Sequence, residues 1–200
     1  MKQSFLLLLA AIFFLSCKNK NQLTHTEKNA DGTTTTTSVD VASLTSNTDE
    51  MANKMEALKK MKPLTLDQLK ALLPAEINGI QRSSFNANST MGFSVAEGEY
   101  KKDDNTELKL VIYDCAGEAG SAMYGMTFWT KMNMQSESSD GYVKTVDLNG
   151  DKAVESYQKT NNESSLTYVG DERLLIVITG KNMDVNAVKQ AAQSLQLKTL

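Results

Sequence analysis

Residues 142–179 read YVKTVDLNGDKAVESYQKTNNESSLTYVGDERLLIVIT, and this stretch decides the fold. Apolar and polar residues alternate along much of it, as they do in half-buried strands. Asn149-Gly150 favours the two-residue turn of a tight β-hairpin. The apolar residues 174–178 indicate a central strand that is covered on both faces. The stretch therefore predicts a four-stranded antiparallel meander, with strands at Tyr142–Leu148, Lys152–Gln158, Ser164–Val169 and Arg173–Thr179.

A second group of strands is predicted upstream of the meander, and a helix separates the two groups. The predicted strands are Ile80–Phe85, Phe93–Lys101 and Glu107–Asp114. Residues 117–136 predict the helix, because Ala119, Met123, Met126 and Thr130 share one helical face. We therefore expect an α+β fold: an antiparallel sheet of about seven strands, made of a three-strand unit, a helix and a four-strand meander, flanked by helices.

Three other helices are indicated by periodicity and by capping residues. Residues 49–61 carry methionine and leucine along one helical stripe. Residues 64–73 form the best candidate, since Thr65 and Gln68 have the spacing of a capping box and Pro74 ends the helix. Asp184 is the expected N-cap of the last helix.

The first residues predict a targeting signal rather than a part of the fold. They read MKQSFLLLLAAIFFLSC, and the apolar run Phe5–Leu15 is 11 residues long. A membrane-spanning helix needs about 20 residues, whereas a run of this length suits the core of a signal peptide. Ser16 and Cys17 follow the run. The segment resembles a bacterial lipoprotein signal, and this resemblance implies that residues 1–16 are removed and that Cys17 carries the lipid.

A polar segment follows Cys17. Residues 24–48 contain nine threonines and three serines and no aromatic residue. Such a composition buries too little apolar surface to compensate for the entropy lost on ordering. We therefore predict that residues 17–48 are the lipidated N-terminus and a flexible tether, with a reach on the order of 30 Å. Residues 49–200 are then the globular domain, with its core in about 62–200.

Several stretches of the domain resemble a family of uncharacterised bacterial envelope proteins, many of which are lipoproteins. They are LPAEINGIQRSSF (73–85), LKLVIYDCAGEAG (108–120), DGYVKTVDLNGDKAVESY (140–157) and VGDERLLIVITGKNMDVNAVKQAAQSLQL (169–197). The order of strands and helices is also similar to the PsbP/Mog1-type fold. The resemblance implies a compartment and a fold, but no chemistry. It also weakly favours the outer membrane, because the residue after Cys17 is lysine and not the aspartate that marks inner-membrane retention in some bacteria.

Composition excludes several classes of function. The net charge is −3, whereas a nucleic-acid-binding protein needs a basic face for phosphate contacts. The single histidine, His25, lies in the predicted tether, so a Ser-His-Asp or Cys-His site in the domain is excluded. An envelope enzyme that uses the carboxylates of Asp114 and Glu118, or the thiol of Cys115, remains the alternative reading.

A metal site and a cofactor are not expected. Met123, Met126, Met132 and Met134 could offer thioethers to Cu(I), but methionines on a helix face more often fill gaps in a core. No histidine in the domain supports a copper site.

A ligand pocket is the remaining candidate site. Tyr113, Tyr124 and Trp129 lie close in sequence at the junction between strand and helix. Aromatic side chains of this kind line small-molecule pockets, and they also form the main core of many domains. The sequence thus favours a lipid-anchored envelope protein whose domain is a non-enzymatic binding or accessory module, attached to the membrane through its lipid. Its small ligand or protein partner is not indicated.

Overall fold

The structure, a computed structural model, describes residues 22–29, 32–40, 48–195 and 197. Its strands are β1 (Gln22–Lys28), β2 (Thr34–Asp40), β3 (Glu76–Ile77), β4 (Ile80–Thr90), β5 (Phe93–Lys101), β6 (Glu107–Asp114), β7 (Met134–Ser138), β8 (Gly141–Leu148), β9 (Asp151–Gln158), β10 (Glu163–Gly170) and β11 (Leu174–Lys181). Its helices are α1 (Thr48–Lys60), α2 (Leu66–Ala71), α3 (Gly117–Gly125), α4 (Phe128–Lys131) and α5 (Val185–Ser194).

All strands belong to one antiparallel sheet, in the order β1-β2-β7-β8-β9-β10-β11-β6-β5-β4-β3. The meander of residues 142–179 supplies β8 to β11 as adjacent strands, joined in the register that the Asn149-Gly150 turn predicts. β11 then pairs with β6, which places the apolar strand 174–178 near the middle of the sheet.

The expected sheet of about seven strands flanked by helices is wrong. The described residues form an 11-stranded, mostly β structure with five short helices. The four strands that the prediction lacked are β1, β2, β3 and β7. They add a hairpin and β7 at one side of the sheet and a two-residue strand at the other.

Two of these strands come from the segment predicted to be a tether. Threonine favours strands because its β-branched side chain fits a pleated surface. The hydroxyls also pair across strands: Thr24 with Ser38 at 3.1 Å, and Thr37 with Ser136 of β7 at 3.2 Å. Low hydrophobicity therefore misled the prediction, because backbone pairing with β7 orders this hairpin. The predicted signal peptide (residues 1–16) and Cys17 lie outside the described ranges. So do residues 18–21, 30–31 and 41–47 of the predicted tether.

The predicted helix over residues 117–136 is also wrong in its second half. α3 ends at Gly125, α4 is a single turn, and Met132 is already extended, with φ −82° and ψ 145°. The hydroxyls of Thr127 and Thr130 donate to carbonyls of the preceding turn, Tyr124 O and Thr127 O. Residues 134–138 then leave the helix because β2 and β8 offer them strand partners on both sides.

The helix caps are confirmed. Thr65 and Gln68 form the capping box at the start of α2, with each side chain bonded to the other residue's backbone N–H. Asp184 accepts a 3.0 Å hydrogen bond from Ala187 N at the start of α5.

The main core lies between one face of the sheet and the helices α2 and α5. Alternate residues of the central strands are fully buried on this face, among them Leu108, Leu110 and Ile112 of β6 and Leu174, Ile176 and Ile178 of β11. On the other face, α1 and α3 enclose a smaller cluster of Leu58, Cys115 and Tyr124. Helices therefore cover both faces of β6 and β11 near the end of the sheet where Asp114 lies.

Replacement of Gly141 tests the β8–β9 register. A Cβ at this position would lie 1.9 Å from Tyr157 O, and the residue has φ +152°. We expect Gly141→Ala to lower the free energy of unfolding by about 3 kcal/mol, through this clash and the backbone strain. Gly150→Ala is the matched control, because its φ is +92° but no atom lies within 4 Å of its Cβ. It should cost only the strain, about 1 kcal/mol. Equal midpoint shifts in chemical denaturation would contradict this register.

Candidate functional site

Asp114, one of the candidate residues, lies at the end of β6, and its carboxylate is fully engaged in hydrogen bonds. Arg173 donates to it twice, from Nε to Oδ1 at 2.6 Å and from Nη2 to Oδ2 at 2.8 Å. Two backbone N–H groups complete the shell: Leu64 N to Oδ2 at 2.7 Å and Ala116 N to Oδ1 at 3.1 Å. Each oxygen thus accepts two hydrogen bonds, and the side chain has no exposed surface.

Arg173 also connects the end of β6 to the chain before α2. We call the Asp114–Arg173 ion pair, together with its contacts to backbone groups, the joint. Its Nη2 also donates to Lys62 O at 2.8 Å, and its own carbonyl accepts from Cys115 N at 3.0 Å. The hydrogen bonds that Arg173 donates to Asp114 are the main cause that raises the pKa of Arg173 above its ordinary value. The joint therefore fastens together three parts of the chain: the end of β6, the β10–β11 turn and residues 62–64.

Glu118, the other carboxylate of the enzyme alternative, lies in solvent. Its side chain is 86% exposed and forms a 3.4 Å ion pair with Lys59. General acid–base catalysis needs a carboxyl group that can exchange its proton with a substrate. Asp114 is occupied by four donors and Glu118 has an ordinary surface environment, so the two do not form an acid–base pair.

Cys115 is an inert core residue. It is fully buried and lies in the cluster with Leu58 and Tyr124. Burial raises the pKa of its thiol to about 11. Because the thiolate is the reactive form of cysteine, this environment suppresses nucleophilic chemistry at Cys115.

The three predicted aromatic residues do not share one environment. Tyr124 is buried between α1 and α3, Tyr113 is half-buried on β6, and Trp129 of α4 is 40% exposed. Tyr124 lines an open cleft of about 700 Å³ between α1 and the β10–β11 turn. The other residues along this cleft are mostly polar or charged, including Glu50, Asn53, Lys131 and Asp151. Of the three aromatic residues of the candidate pocket, only Tyr124 is among the residues that line this polar cleft.

The methionines and His25 are also dispersed. Met126 is 65% exposed, whereas Met123, Met132 and Met134 are half-buried. His25 lies on β1 opposite Thr37. In the part of the chain that the structure describes, no three histidine, cysteine, aspartate or glutamate side chains are grouped as metal ligands.

A second buried carboxylate, Glu155, was missed by the sequence analysis. It lies on β9 with its side chain 1% exposed. Tyr142 donates to Oε1 at 2.7 Å, Lys144 lies 3.2 Å from Oε1, and Lys189 of α5 forms an ion pair with Oε2. Burial alone would raise the pKa of Glu155, but these three partners outweigh it and hold the pKa below its usual value.

A signal for this cluster was present in the sequence. If residues 149 and 150 form the turn of a two-residue hairpin, Lys144 must face Glu155 on the next strand, as it does. Opposite charges at facing positions stabilise a hairpin. The contribution of Lys189 could not be predicted, because it depends on where α5 crosses the sheet.

Comparison of the chain with protein-family models, with curated proteins and with solved structures finds no match. Within the described ranges, every helix is too short or too polar to cross a bilayer.

Substitutions of the two carboxylates of the enzyme alternative should change the free energy of unfolding by very different amounts. Asp114→Asn leaves Arg173 as a buried cation without its counter-charge, so we expect a loss of about 3 kcal/mol in the free energy of unfolding. Glu118→Gln removes only a surface ion pair and should change it by less than about 0.5 kcal/mol. Urea denaturation of both variants measures the difference. A loss in the free energy of unfolding as small as that of Glu118→Gln would show that the joint does not hold the end of β6, the β10–β11 turn and residues 62–64 together.

Glu155 should make the stability depend on acid pH. A carboxyl group whose pKa is lowered by folding stabilises the folded state at pH values above its unfolded pKa, and this contribution is lost as the pH falls through the folded pKa. We therefore expect the stability of the wild type to fall below about pH 4.5, the ordinary glutamate value. Glu155→Gln should be less stable at pH 7 and should lose less stability on acidification. Thermal unfolding between pH 7 and pH 3 tests this, and parallel curves for the two proteins would refute it.

Proposed function

We propose that this chain is a bacterial envelope lipoprotein, anchored through a lipid on Cys17, whose folded domain is a non-enzymatic binding or accessory module. The observation that carries the proposal is the apolar run Phe5–Leu15 followed directly by Ser16 and Cys17. These residues lie outside the described ranges, so the anchor is argued from sequence alone. Lys18 after the cysteine favours the outer membrane over the inner one.

The side chains that could have supported an enzyme favour the non-enzymatic reading. Asp114 is held by four donors, and the thiol of Cys115 is buried with a raised pKa. Both groups therefore serve the fold. The polar cleft beside Tyr124 and the exposed apolar side chains remain as surfaces that a small polar ligand or a partner could contact.

Expression of the full chain in a bacterium with its lipoprotein-processing enzymes tests the anchor. We expect the mature protein to begin at Cys17, to carry a diacylglyceryl group by intact-mass measurement, and to sediment with membranes. A single acyl chain binds membranes only marginally, whereas two or more chains anchor a protein stably.

Two cysteine variants separate the anchor from the core thiol. Cys17→Ser should abolish lipid labelling and membrane association, and Cys115→Ala should retain both. An unmodified mature protein, or one that begins at another residue, would contradict the proposal.

A further inference from the structure

The first strand begins very close to the lipid anchor. Only residues 18–21 separate Cys17 from Gln22, the first residue of β1. Whatever conformation these residues adopt, five Cα-to-Cα steps span at most about 18 Å. If Cys17 carries the lipid, as proposed above, then the Gln22 end of the sheet is held within this distance of the membrane surface.

The register of the sheet shows which other residues share that end. Gln22 faces Asp40 on β2, and Val39 faces Met134 on β7. The same end continues along the sheet to its far side. We call it the anchored end, and its strand termini are Gln22, Asp40, Met134, Leu148, Asp151, Gly170, Leu174, Asp114 and Phe93.

Exposed apolar side chains are concentrated at the anchored end. Eight large hydrophobic side chains are exposed in the described ranges, and six of them lie at this end: Leu23, Met61, Met91, Phe93, Met126 and Trp129. Met126 and Trp129 fall between the end of β6 and the start of β7. Met91 and Phe93 lie at the β4–β5 turn. Met61 directly precedes Lys62, whose carbonyl accepts a hydrogen bond from Arg173 at the same end of the sheet.

The opposite end of the sheet has a different character. Among its connections are the polar turns KDDNT (102–106), SD (139–140) and KTNN (159–162). The exposed large apolar side chains are therefore concentrated at the anchored end, although its turns NG (149–150) and DER (171–173) are also polar. Exposed apolar side chains concentrated at one end of a domain favour contact with an apolar surface.

We propose that the anchored end of the sheet rests on the lipid bilayer, with Leu23, Met126 and Trp129 in the interfacial layer. A bilayer suits this surface better than a compact partner, because the six side chains extend from β1 at one edge of the sheet to the β4–β5 turn near the other, and a membrane is broad and flat. Tryptophan is also the residue that prefers the boundary between headgroups and acyl chains. The strands then stand on the membrane, and the polar turns point away from it.

The single tryptophan of the chain makes the proposal measurable. The lipidated full-length protein is reconstituted into vesicles of phosphatidylethanolamine and phosphatidylglycerol, with or without bromine on the acyl chains. We expect the brominated lipids to quench the emission of Trp129 by roughly twofold or more, since an interfacial indole lies next to the acyl chains. As a control, Trp129→Phe with Asn161→Trp moves the indole to an exposed turn at the opposite end, where quenching should be absent.

Two charge variants test the contact itself. Leu23 and Phe85 are both 52% exposed, but only Leu23 lies at the anchored end. Leu23→Asp should reduce the quenching of Trp129, whereas Phe85→Asp should leave it unchanged. Vesicle flotation separates the two proposals. Protein that floats while Trp129 stays unquenched overturns the docking and leaves the anchor intact, and protein that does not float overturns both.

Discussion

The ion pair between Asp114 and Arg173 holds together the parts of the chain that a sheet alone would leave loose. β6 and β11 are paired through their backbones, but the segment before α2 and the start of α3 are connected to them at this joint. Ion pairs buried in this way add little net stability compared with apolar residues, but loss of one partner is costly. Their value here is geometric, because two charged side chains with three contacts to backbone groups allow one arrangement of these segments. α1 and α3 can then close over Leu58, Cys115 and Tyr124 at a fixed position.

The predictable parts of the fold are those whose structure is determined by residues close together in the sequence. The four strands of residues 142–179 could be predicted because Asn149-Gly150 fixes one turn and alternation fixes the buried face. The β1–β2 hairpin could not, since its order comes from pairing with β7, which is about 100 residues later in the chain. β7 itself was included in a predicted helix, because Met123, Met126 and Thr130 before it share one helical face. Segments that gain their structure from distant strands resemble disordered or helical segments when they are read alone.

The two buried carboxylates, Glu155 and Asp114, show the same contrast. A partner of Glu155 can be predicted from one hairpin turn, whereas the main partners of Asp114 are distant in sequence. Lys144 and Glu155 face each other because of one hairpin turn, so that pair was within reach of the sequence. Asp114 was noticed, but as a reactive group, because nothing nearby in sequence shows that Arg173 and Leu64 bind its carboxylate. An acidic residue at the end of a strand suggests a catalytic group only as long as its hydrogen-bond partners are unknown. The fold assigns both carboxylates to structure, and this is why the surface, rather than a buried group, carries the functional argument.

The hairpin that replaces the predicted tether changes how the domain meets its surroundings. A flexible linker of about 30 residues would let the domain sample a volume on the order of 30 Å in radius and would give it no fixed orientation. A link of four residues between Cys17 and β1 removes most of that freedom. Under the proposed lipidation of Cys17, the domain would present one end to the lipid and the other to the surrounding compartment. A partner would consequently meet the polar turns or the faces of the sheet, and the polar cleft beside Tyr124 would open near the membrane, because the β10–β11 turn that lines it belongs to the anchored end.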